Sequence, residues 1–320
     1  PEAIAFDSNG SFYTGLRNGL VVRVDPGGHV EKIVRTGEEI DDRICNDESK
    51  WSVADPACGR PFGLRMKPNT KYLYVADSFY GLVKINVDKK TREIVLSSND
   101  TRFGNKPLKC TEDLDIDGND IYFVDSTDKH TLNKAMEDII FLYPSGRVFR
   151  YNEKNDELDL VLDHLYYPNG IQLTPNKDAL LINEFSKARI LKYHLKGPYK
   201  GKSEVFAELP GLSDAIRLTD LNTLLVPFVV VFPKHGSLSG YFGKFPILRT
   251  IIGYFINHSV IMNIWPKYGL VGEYDLKGNL LKSWHDKHGK IVNSITNAVL
   301  RDKKLYLGSY TGTKIAVVNY

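Results

Sequence analysis

The sequence predicts an all-β fold, a six-bladed β-propeller, from three observations. Short apolar segments recur six times, turns rich in Gly, Asn, Asp and Pro separate them, and long helical periodicity is nearly absent. Apolar and polar residues alternate along the chain in the way expected of half-buried strands. The six segments are FYTGL (12–16), LYVAD (73–77), IYFVD (121–125), LLINE (180–184), LLVPF (224–228) and LYLGS (305–309).

The spacing of these segments indicates one repeat of roughly 40 to 50 residues or a little more, built from about four strands. The second residues of successive segments lie 61, 48, 59, 44 and 81 positions apart. Six such units predict six blades in one domain over residues 1–320; an irregular β-sandwich is the alternative. The sixth unit shows three strands before Tyr320, so we expect its closing strand to precede Pro1.

The longest interval contains the least typical stretch of the chain, FPILRTIIGYFINHSVIMNIWP (245–266). Arg249 and His258 interrupt its apolar residues, and Pro246 and Pro266 bracket it, which makes it a poor membrane span. We therefore predict a helical insertion between blades five and six. Such a helix would pack on the propeller, cover a site as a lid, or lie on a membrane surface.

Composition and charge are those of an ordinary globular protein. Of the 320 residues, 42% are hydrophobic and 25% are charged, which is enough apolar material for a large core. The formal net charge is +3 and the basic residues are scattered, so nothing indicates a nucleic-acid partner.

Two cysteines flank a polar loop, and three glycosylation sequons occur. Cys45 and Cys58 are predicted to form a disulfide if the chain is exported, which would stabilise the fold by ~3 kcal/mol, whereas Cys110 is expected to be a buried thiol. The Asn-x-Ser/Thr sequons support secretion weakly, because such triplets are common by chance. They begin at Asn9, Asn99 and Asn257.

A further strand lies about ten residues upstream of each segment and would line the central channel. Five of these six strands open with an oxygen-bearing side chain; the middle residue is small in five, and the third is aliphatic in all six. The opening triplets are Glu2-Ala3-Ile4, Phe62-Gly63-Leu64, Glu112-Asp113-Leu114, Asn169-Gly170-Ile171, Asp214-Ala215-Ile216 and Asn297-Ala298-Val299.

Equivalent positions of the six blades lie at one height around the axis, so these side chains would meet. Carboxylates that face one another without a cation repel and are costly to desolvate. Hard oxygen ligands favour Ca²⁺, with Mg²⁺ or Mn²⁺ as alternatives, and the competing interpretation is hydrogen bonding between blades around water. The predicted metal ligands are Glu2, Glu112, Asn169 and Asp214; Asn297 would bind metal or substrate, and Phe62 would wall the pocket.

Several motifs resemble those of the strictosidine synthase-like family, and the resemblance runs from Pro1 to Tyr320. They are CGRPFGLR (58–65), YVADSFYGL (74–82), YFVDSTDK (122–129), YPNGIQLTP (167–175) and LYLGSYTG (305–312). The resemblance implies a six-bladed propeller with axial Ca²⁺, akin to paraoxonases and calcium-dependent phosphotriesterases. Members of the animal branch resemble type II membrane proteins with an N-terminal anchor and a glycosylated lumenal or extracellular propeller. It thus implies membrane association, at the plasma membrane or endoplasmic reticulum, through a segment outside this chain; a secreted protein is the alternative.

The family's functional residues can be placed on this sequence. Its metal-binding Glu falls on Glu2, the Asn of its Pro-Asn-Gly motif on Asn169, and its blade-five Asp on Asp214. The usual Asn-Asp pair of blade three is here Glu112-Asp113, which adds a negative charge. The catalytic Glu of the plant synthase falls on Asn297, and an amide cannot do that acid–base work, so a Pictet–Spengler condensation is not expected.

The sequence therefore predicts a Ca²⁺-dependent hydrolase of small esters or lactones, of arylesterase type. Asp113 or Glu112 would activate water or attack the substrate directly. His130 is the histidine to test, although a solvated loop histidine is the simpler interpretation. The rival hypothesis is a non-catalytic surface module in which Ca²⁺ is structural.

Overall fold

Six antiparallel sheets build the protein, and each is one blade of a β-propeller. The computed structural model describes residues 1–47, 56–232 and 267–320. All six repeated segments predicted from the sequence are the second strands of their sheets, counted from the central channel. The predicted fold class is thereby confirmed.

The strands of each blade follow one another in sequence order from the channel outwards. Blade one contains β1 (Ala5–Phe6), β2 (Phe12–Gly15), β3 (Leu20–Val24) and β4 (Val30–Arg35). Blade two contains β5 (Pro61–Met66), β6 (Tyr72–Asp77), β7 (Gly81–Asn86) and β8 (Thr91–Ser97). Blade three contains β9 (Thr111–Asp117), β10 (Asp120–Asp125), β11 (Gly146–Asn152) and β12 (Glu157–Leu165).

The second half of the chain repeats this plan with two variations. Blade four contains β13 (Pro168–Leu173), β14 (Ala179–Glu184), β15 (Arg189–His194) and β16 (Ser203–Glu208). Blade five has an interrupted inner strand, β17 (Gly211–Ser213) and β18 (Arg217–Leu218), followed by β19 (Leu224–Val231), β20 (Gly269–Tyr274) and β21 (Leu280–Asp286). Blade six contains β22 (Ile295–Arg301), β23 (Lys304–Ser309) and β24 (Ala316–Asn319).

The inner strands break register with their partners at the predicted triplets. In β5 one extra residue lies between Pro61, which pairs with Asp77, and Gly63, which pairs with Ala76. The same irregularity occurs in β9, β13 and β22, and blade five is interrupted at the corresponding place. Such bulges turn a side chain out of the regular alternation. They therefore explain how Phe62, Glu112, Asn169 and Thr296 leave the regular alternation of their strands.

Strand register corrects the predicted triplet of blade six. The first triplet residue lies three positions before the partner of the segment's second residue; for Asn169 that partner is Gln172, paired with Leu181. In blade six Val299 pairs with Tyr306, so the equivalent residue is Thr296 and not Asn297. Asn297 lies one position further along. The sequence alignment missed this shift because both residues are polar.

Small residues at the second triplet position allow neighbouring inner strands to approach closely. A Cβ added to Gly63 would lie 2.6 Å from Asp113 Cα, and one added to Gly170 would lie 2.6 Å from the Asp214 carbonyl oxygen. Both distances are below van der Waals contact. The glycines are therefore required for the tight packing of blades around the axis.

The hydrophobic core lies between adjacent blades rather than within one of them. Blades one and two bury Tyr13, Val21 and Leu64 together, and similar apolar clusters fill the next four junctions. The last junction is closed by aromatic rings: Phe6 of blade one lies 4.9 Å from Tyr306 of blade six, centroid to centroid. Edge contacts of this kind favour ordered packing beyond their buried area.

Three second strands end in a buried acidic residue that holds the loop before its own inner strand. Asp77 accepts a hydrogen bond from the Arg60 backbone N–H at 2.8 Å, and Asp125 accepts one from Cys110 N–H at 2.9 Å. Glu184 accepts one from Tyr166 N–H at 2.9 Å. These acids, the last letters of YVAD, YFVD and LINE, therefore have a structural role that the sequence patterns alone did not reveal.

Two short α-helices lie in the described residues, α1 (Asp42–Cys45) and α2 (Ala135–Phe141). The sequence analysis did not predict α2, which is inserted between β10 and β11 of blade three. The predicted helix at 245–266 and the sequon at Asn257 lie outside the described residues. The sequons at Asn9 and Asn99 lie on exposed residues.

The predicted disulfide is confirmed. Cys45 and Cys58 are bonded, with their Cα atoms 5.8 Å apart. The bond ties the end of α1 to the loop that leads into β5, and Cys110 is a buried thiol as expected. The disulfide therefore supports the loop that carries Arg60 to the channel.

Candidate axial site

One residue from each blade, three positions before the partner of the segment's second residue, belongs to what we call the first ring. Its six members mix acids, an amide, a hydroxyl and an aromatic ring, and most are nearly inaccessible to solvent. They are Glu2, Phe62, Glu112, Asn169, Asp214 and Thr296. The ring thus contains the four predicted metal ligands and Phe62, while Thr296 takes the place expected of Asn297.

Glu2 is paired with a cation supplied by the neighbouring blade. Its carboxylate accepts a charge-assisted hydrogen bond from the Arg60 guanidinium. Arg60 is buried, and its guanidinium lies over the Phe62 ring at 4.8 Å. Glu2 is therefore neutralised within the protein itself.

Glu112 lies in a buried pocket of weak hydrogen-bond donors. Its Oε1 accepts from the Cys110 thiol at 3.1 Å, and the thiol sulfur lies 3.5 Å from the Tyr167 hydroxyl. Burial, together with the charges of Glu2 and Asp113, raises the pKa of Glu112 to about 8 despite the thiol bond. A carboxyl in this environment carries a proton around neutral pH unless a cation neutralises it.

Asp214 lies close enough to the other acids to be affected by their charges. Burial, and then the charges of Glu112, Glu2 and Asp113, hold the pKa of Asp214 well above its usual range. Asn169 belongs to the adjacent inner strand, whose Gly170 packs against the Asp214 backbone. The ring therefore concentrates negative charge in a poorly solvated place.

Asp113, a predicted catalytic residue, is occupied by a structural ion pair. Its carboxylate accepts two hydrogen bonds from Arg217, at 2.7 and 3.0 Å, and one from the Ile171 backbone N–H at 3.1 Å. The residue is 1% exposed. These contacts join blades three, four and five, and they leave little of the carboxylate free to act as a base.

A second polar layer lies three residues further along the inner strands, and we call it the second ring. Gln172 donates to Asp115 at 2.6 Å and accepts from the Leu218 backbone N–H at 3.1 Å. Arg65 donates to Asp115 at 3.4 Å. The second ring and the Asp113–Arg217 pair thus link blades two to five by polar contacts across the channel.

Asn297 has an unusual environment. It is fully buried, and neither its amide nitrogen nor its amide oxygen has a hydrogen-bond partner in the described structure. An unpaired buried amide is costly, so such groups commonly mark a bound water, ion or ligand. The prediction that Asn297 binds metal or substrate stays a prediction, and this observation supports it.

His130 is not a simple solvated loop residue. Its Nδ1 lies 2.9 Å from Oδ1 of Asp138, which is almost completely buried on α2. Burial raises the pKa of Asp138, although the bond to His130 opposes this shift. A carboxylate that holds one imidazole nitrogen fixes the tautomer and leaves the other nitrogen for proton transfer.

Helix α2 lies at the end of the channel where Glu112 is found. Ala135 of α2 packs in one buried cluster with Cys110, Tyr167 and Phe185, and the Cys110 thiol contacts Glu112. The His130–Asp138 pair therefore belongs to the side of the propeller that carries the first ring.

The donor set suits a hard divalent cation. Its carboxylate and amide oxygens are those that Ca²⁺ prefers, and the raised pKa values of Glu112 and Asp214 show the electrostatic stress that a cation would relieve. Within the described ranges, however, no three His, Cys, Asp or Glu side chains converge as a metal-binding cluster. Amide donors and a rearrangement around Glu2 would have to complete the coordination.

Sequence reasoning missed three residues that shape the site. Arg60 and Arg217 neutralise axial acids, and Asp138 orients His130. The buried arginines had a signal, because each lies beside an inner-strand triplet where a solvated charge is not expected. Asp138 had none, since α2 was not predicted.

Comparisons with known proteins agree with this architecture. Residues 1–24 match the family described as strictosidine synthase-like, N-terminal, and residues 112–198 match strictosidine synthase. A gluconolactonase from Xanthomonas campestris has the same fold, with a TM-score of 0.63, 14% identity, and coverage of 99% of this chain and 85% of its own. The calcium-binding protein regucalcin from Agrobacterium tumefaciens aligns with a TM-score of 0.61, 11% identity, and coverage of 98% and 83%.

Fold, first ring and family matches define a strictosidine synthase-like six-bladed propeller, which confirms the resemblance seen in the motifs. One curated relative, the adipocyte plasma membrane-associated protein of Bos taurus, is 33% identical over 314 residues, which cover 97% of this chain and 73% of the relative. The chain belongs to the adipocyte plasma membrane-associated protein family. None of the helices in the described parts of the chain is long and apolar enough to cross a membrane.

Proposed function

We propose that the protein is a metal-dependent hydrolase of small esters or lactones whose site is the first ring. The observation that carries this proposal is the group of oxygen donors at one height, where burial and neighbouring acids raise the pKa values of both Glu112 and Asp214. The lactonase and calcium-binding propellers that share the fold support the class of reaction, and the arylesterase type is our finer proposal.

Glu2, Glu112, Asn169 and Asp214 would hold the cation. A bound Ca²⁺ would polarise the substrate carbonyl and stabilise the negative charge that develops on its oxygen. Asn297, whose amide has no partner, would bind either the cation or the substrate. Phe62 would form an apolar part of the pocket wall.

His130 is the better proton acceptor for the attacking water. Asp113 is held by Arg217, and Glu112 is protonated around neutral pH in the cation-free state, so both are weak candidates for a base. His130 Nδ1 is held by Asp138, and His130 Nε2 lies 3.8 Å from Glu137, beyond hydrogen-bonding distance. Water that gives its proton to this nitrogen would attack the carbonyl carbon; the acyl C–O bond of the ester or lactone would then break, and the protonated imidazole would return the proton to the leaving oxygen.

The test is the hydrolysis of phenyl acetate and of dihydrocoumarin by purified protein in millimolar Ca²⁺. We expect a rate about 10² to 10⁴ times that of the protein without its general base. We expect turnover to stop with a chelator and in Asp214→Ala, and to fall by that factor in His130→Gln. His194→Gln is the matched control, because His194 also contacts an acid, Glu204, but lies in β15 of blade four. Absence of turnover in fully metal-loaded protein would refute the hydrolase.

A non-catalytic surface module in which Ca²⁺ is structural is the second candidate, favoured by the Arg60–Glu2 pair, which engages one predicted ligand in an ion pair within the protein. In that case chelation lowers thermal stability and no ester is cleaved. For either function we propose membrane association, by analogy with relatives named as plasma membrane-associated, through a segment outside this chain. A secreted protein is the alternative, and exposed sequons at Asn9 and Asn99 agree with both.

A further inference from the structure

Arg60 is a buried cation in the channel wall. Its side chain is buried, its backbone N–H is held by Asp77 at 2.8 Å, and its guanidinium lies 4.8 Å above the Phe62 ring. From this position it donates to the Glu2 carboxylate of blade one. A guanidinium is more weakly hydrated than an ammonium ion and stacks on aromatic faces, so it tolerates this burial.

The pair with Glu2 involves the residue that the family resemblance assigns to the metal. A carboxylate that is already neutralised by a guanidinium attracts a second cation less, and two cations beside one carboxylate repel each other. The charge of Arg60 also reaches Glu112, since it is one of the influences that lower the pKa of that acid. The positive charge of Arg60 thus neutralises the Glu2 carboxylate, as a bound divalent cation would.

We propose that Arg60 is an internal counter-ion that competes with a divalent cation for Glu2, so that the cation binds only when the Arg60 side chain leaves this carboxylate. The proposal rests on the axial metal site of the proposed function but not on catalysis. Phe62 is then the partner that retains the guanidinium after it leaves Glu2, because the stacking contact does not involve the carboxylate.

The competition has a measurable consequence for metal affinity. Only the fraction of molecules with Glu2 free can bind tightly, and the apparent dissociation constant rises by the inverse of that fraction. Removing the guanidinium should therefore tighten Ca²⁺ binding. Without metal, the Arg60–Glu2 pair would hold the first ring together. Ca²⁺ would bind only at higher concentrations than the number of oxygen ligands suggests.

The experiment is a calorimetric titration of CaCl₂ into chelator-treated wild type, Arg60→Met and Arg147→Met. Arg147 is the matched control, because it is also buried, pairs with the buried Asp125, lies 5.0 Å over Phe149 and, in the described structure, donates its hydrogen bonds to Asp125, Lys106 and Pro107 rather than to a first-ring residue. We expect Arg60→Met to lower the Kd for Ca²⁺ at least tenfold and to enlarge the rise in Tm that Ca²⁺ produces. Arg147→Met should lose stability and keep the wild-type Kd.

An unchanged or higher Kd in Arg60→Met overturns the proposal, as does a failure of both proteins to bind Ca²⁺. Crystals of wild type soaked in CaCl₂ give a second measurement that does not depend on a variant folding. Arg60 displaced from Glu2 supports the proposal, and Arg60 still bonded to Glu2 beside a bound ion overturns it. If Arg60→Met binds Ca²⁺ more tightly while no ester is cleaved, the proposed function fails and the competition stands.

Discussion

Among the single residues at the axis, Asp113 and Arg217 are held by a buried ion pair. Asp113 and Arg217 form a pair that is almost completely buried, with the guanidinium bonded to both carboxylate oxygens. Burial lowers the pKa of Arg217, but Asp113 opposes the shift. Breaking such a pair leaves one uncompensated charge in a poorly solvated place, which is more costly than removing both partners.

We therefore expect Arg217→Met to destabilise the protein by about 3 kcal/mol, the low end for a broken buried pair, because Asp113 loses its bidentate partner and keeps only Arg65, 3.6 Å away. The double variant Asp113→Leu/Arg217→Met should recover a substantial part of that loss. Urea unfolding of the single and double variants measures both effects. Equal destabilisation by the single and double changes would contradict this account of the pair.

The sequence reveals an axial residue only where its role follows from its neighbours in the chain and not from contacts with distant residues. Glu2, Glu112, Asn169 and Asp214 open inner strands, and the repeat pattern was enough to locate them. Arg60 and Arg217 lie beside inner-strand triplets, but their partners are in other blades, and Asp138 lies on an unpredicted helix, so no local pattern identifies these contacts. The displacement of Asn297 by Thr296 depends on strand pairing, which one sequence does not display.

Among the elements, strands and their hairpins also join neighbouring blades through charged groups. Glu153, in the hairpin between β11 and β12, accepts hydrogen bonds from Lys67, Tyr74 and Lys84 of blade two. Burial would raise the pKa of Glu153, but these three bonds outweigh burial and lower it below its ordinary value of 4.5. The ionised carboxylate therefore stabilises the junction of blades two and three.

Because the pKa of Glu153 is lower in the folded protein, its contribution is fully present above about pH 4.5 and is lost as the pH falls through the folded-state pKa. Glu153→Gln should cost about 2 kcal/mol at pH 7 and progressively less in acid. Unfolding in urea at pH 7 and at pH 3.5 provides the comparison. The exposed Glu157 in the same hairpin serves as control, and a Glu153→Gln penalty independent of pH would exclude this role.

At the level of elements, periodicity predicted the strands well and the helices poorly. The second strands carry continuous apolar patterns because both of their faces are buried between blades, as in LLINE and LLVPF. Helix α2 has seven residues and follows a polar loop, so its sequence carries too few turns to show helical periodicity. The role of α2 depends on a tertiary contact, since it places Asp138 against His130.

For the whole molecule, stability depends on closing a ring of six similar units. The Cys45–Cys58 bond lies in the connection from blade one to blade two, with a sequence separation of 13. A crosslink of this span lowers the entropy of the unfolded chain and so raises the free energy of unfolding by about 3 kcal/mol. It also anchors the loop that ends at Arg60, so its effect should reach the axis.

Reduction should therefore lower the Tm measured in the presence of dithiothreitol, and the double variant Cys45→Ala/Cys58→Ala should show the same lower Tm with no further response to the reductant. Differential scanning calorimetry at neutral pH makes both measurements. A wild-type Tm that is indifferent to the reductant, with the thiols shown to be free, would mean that the bond contributes little.

At the bulges of the inner strands, the backbone sets the direction of the side chain, whichever residue type is present. This applies to the first-ring residue at a bulge, whether that residue is Phe62, Glu112 or Thr296. Substitutions there can alter chemistry while the framework persists. A designer could install an additional oxygen donor at position 62, or remove one at position 112, and so retune ion selectivity in the same scaffold. Divergence among propellers of this architecture would follow the same route, with new sets of axial side chains arising from a few exchanges in the first ring.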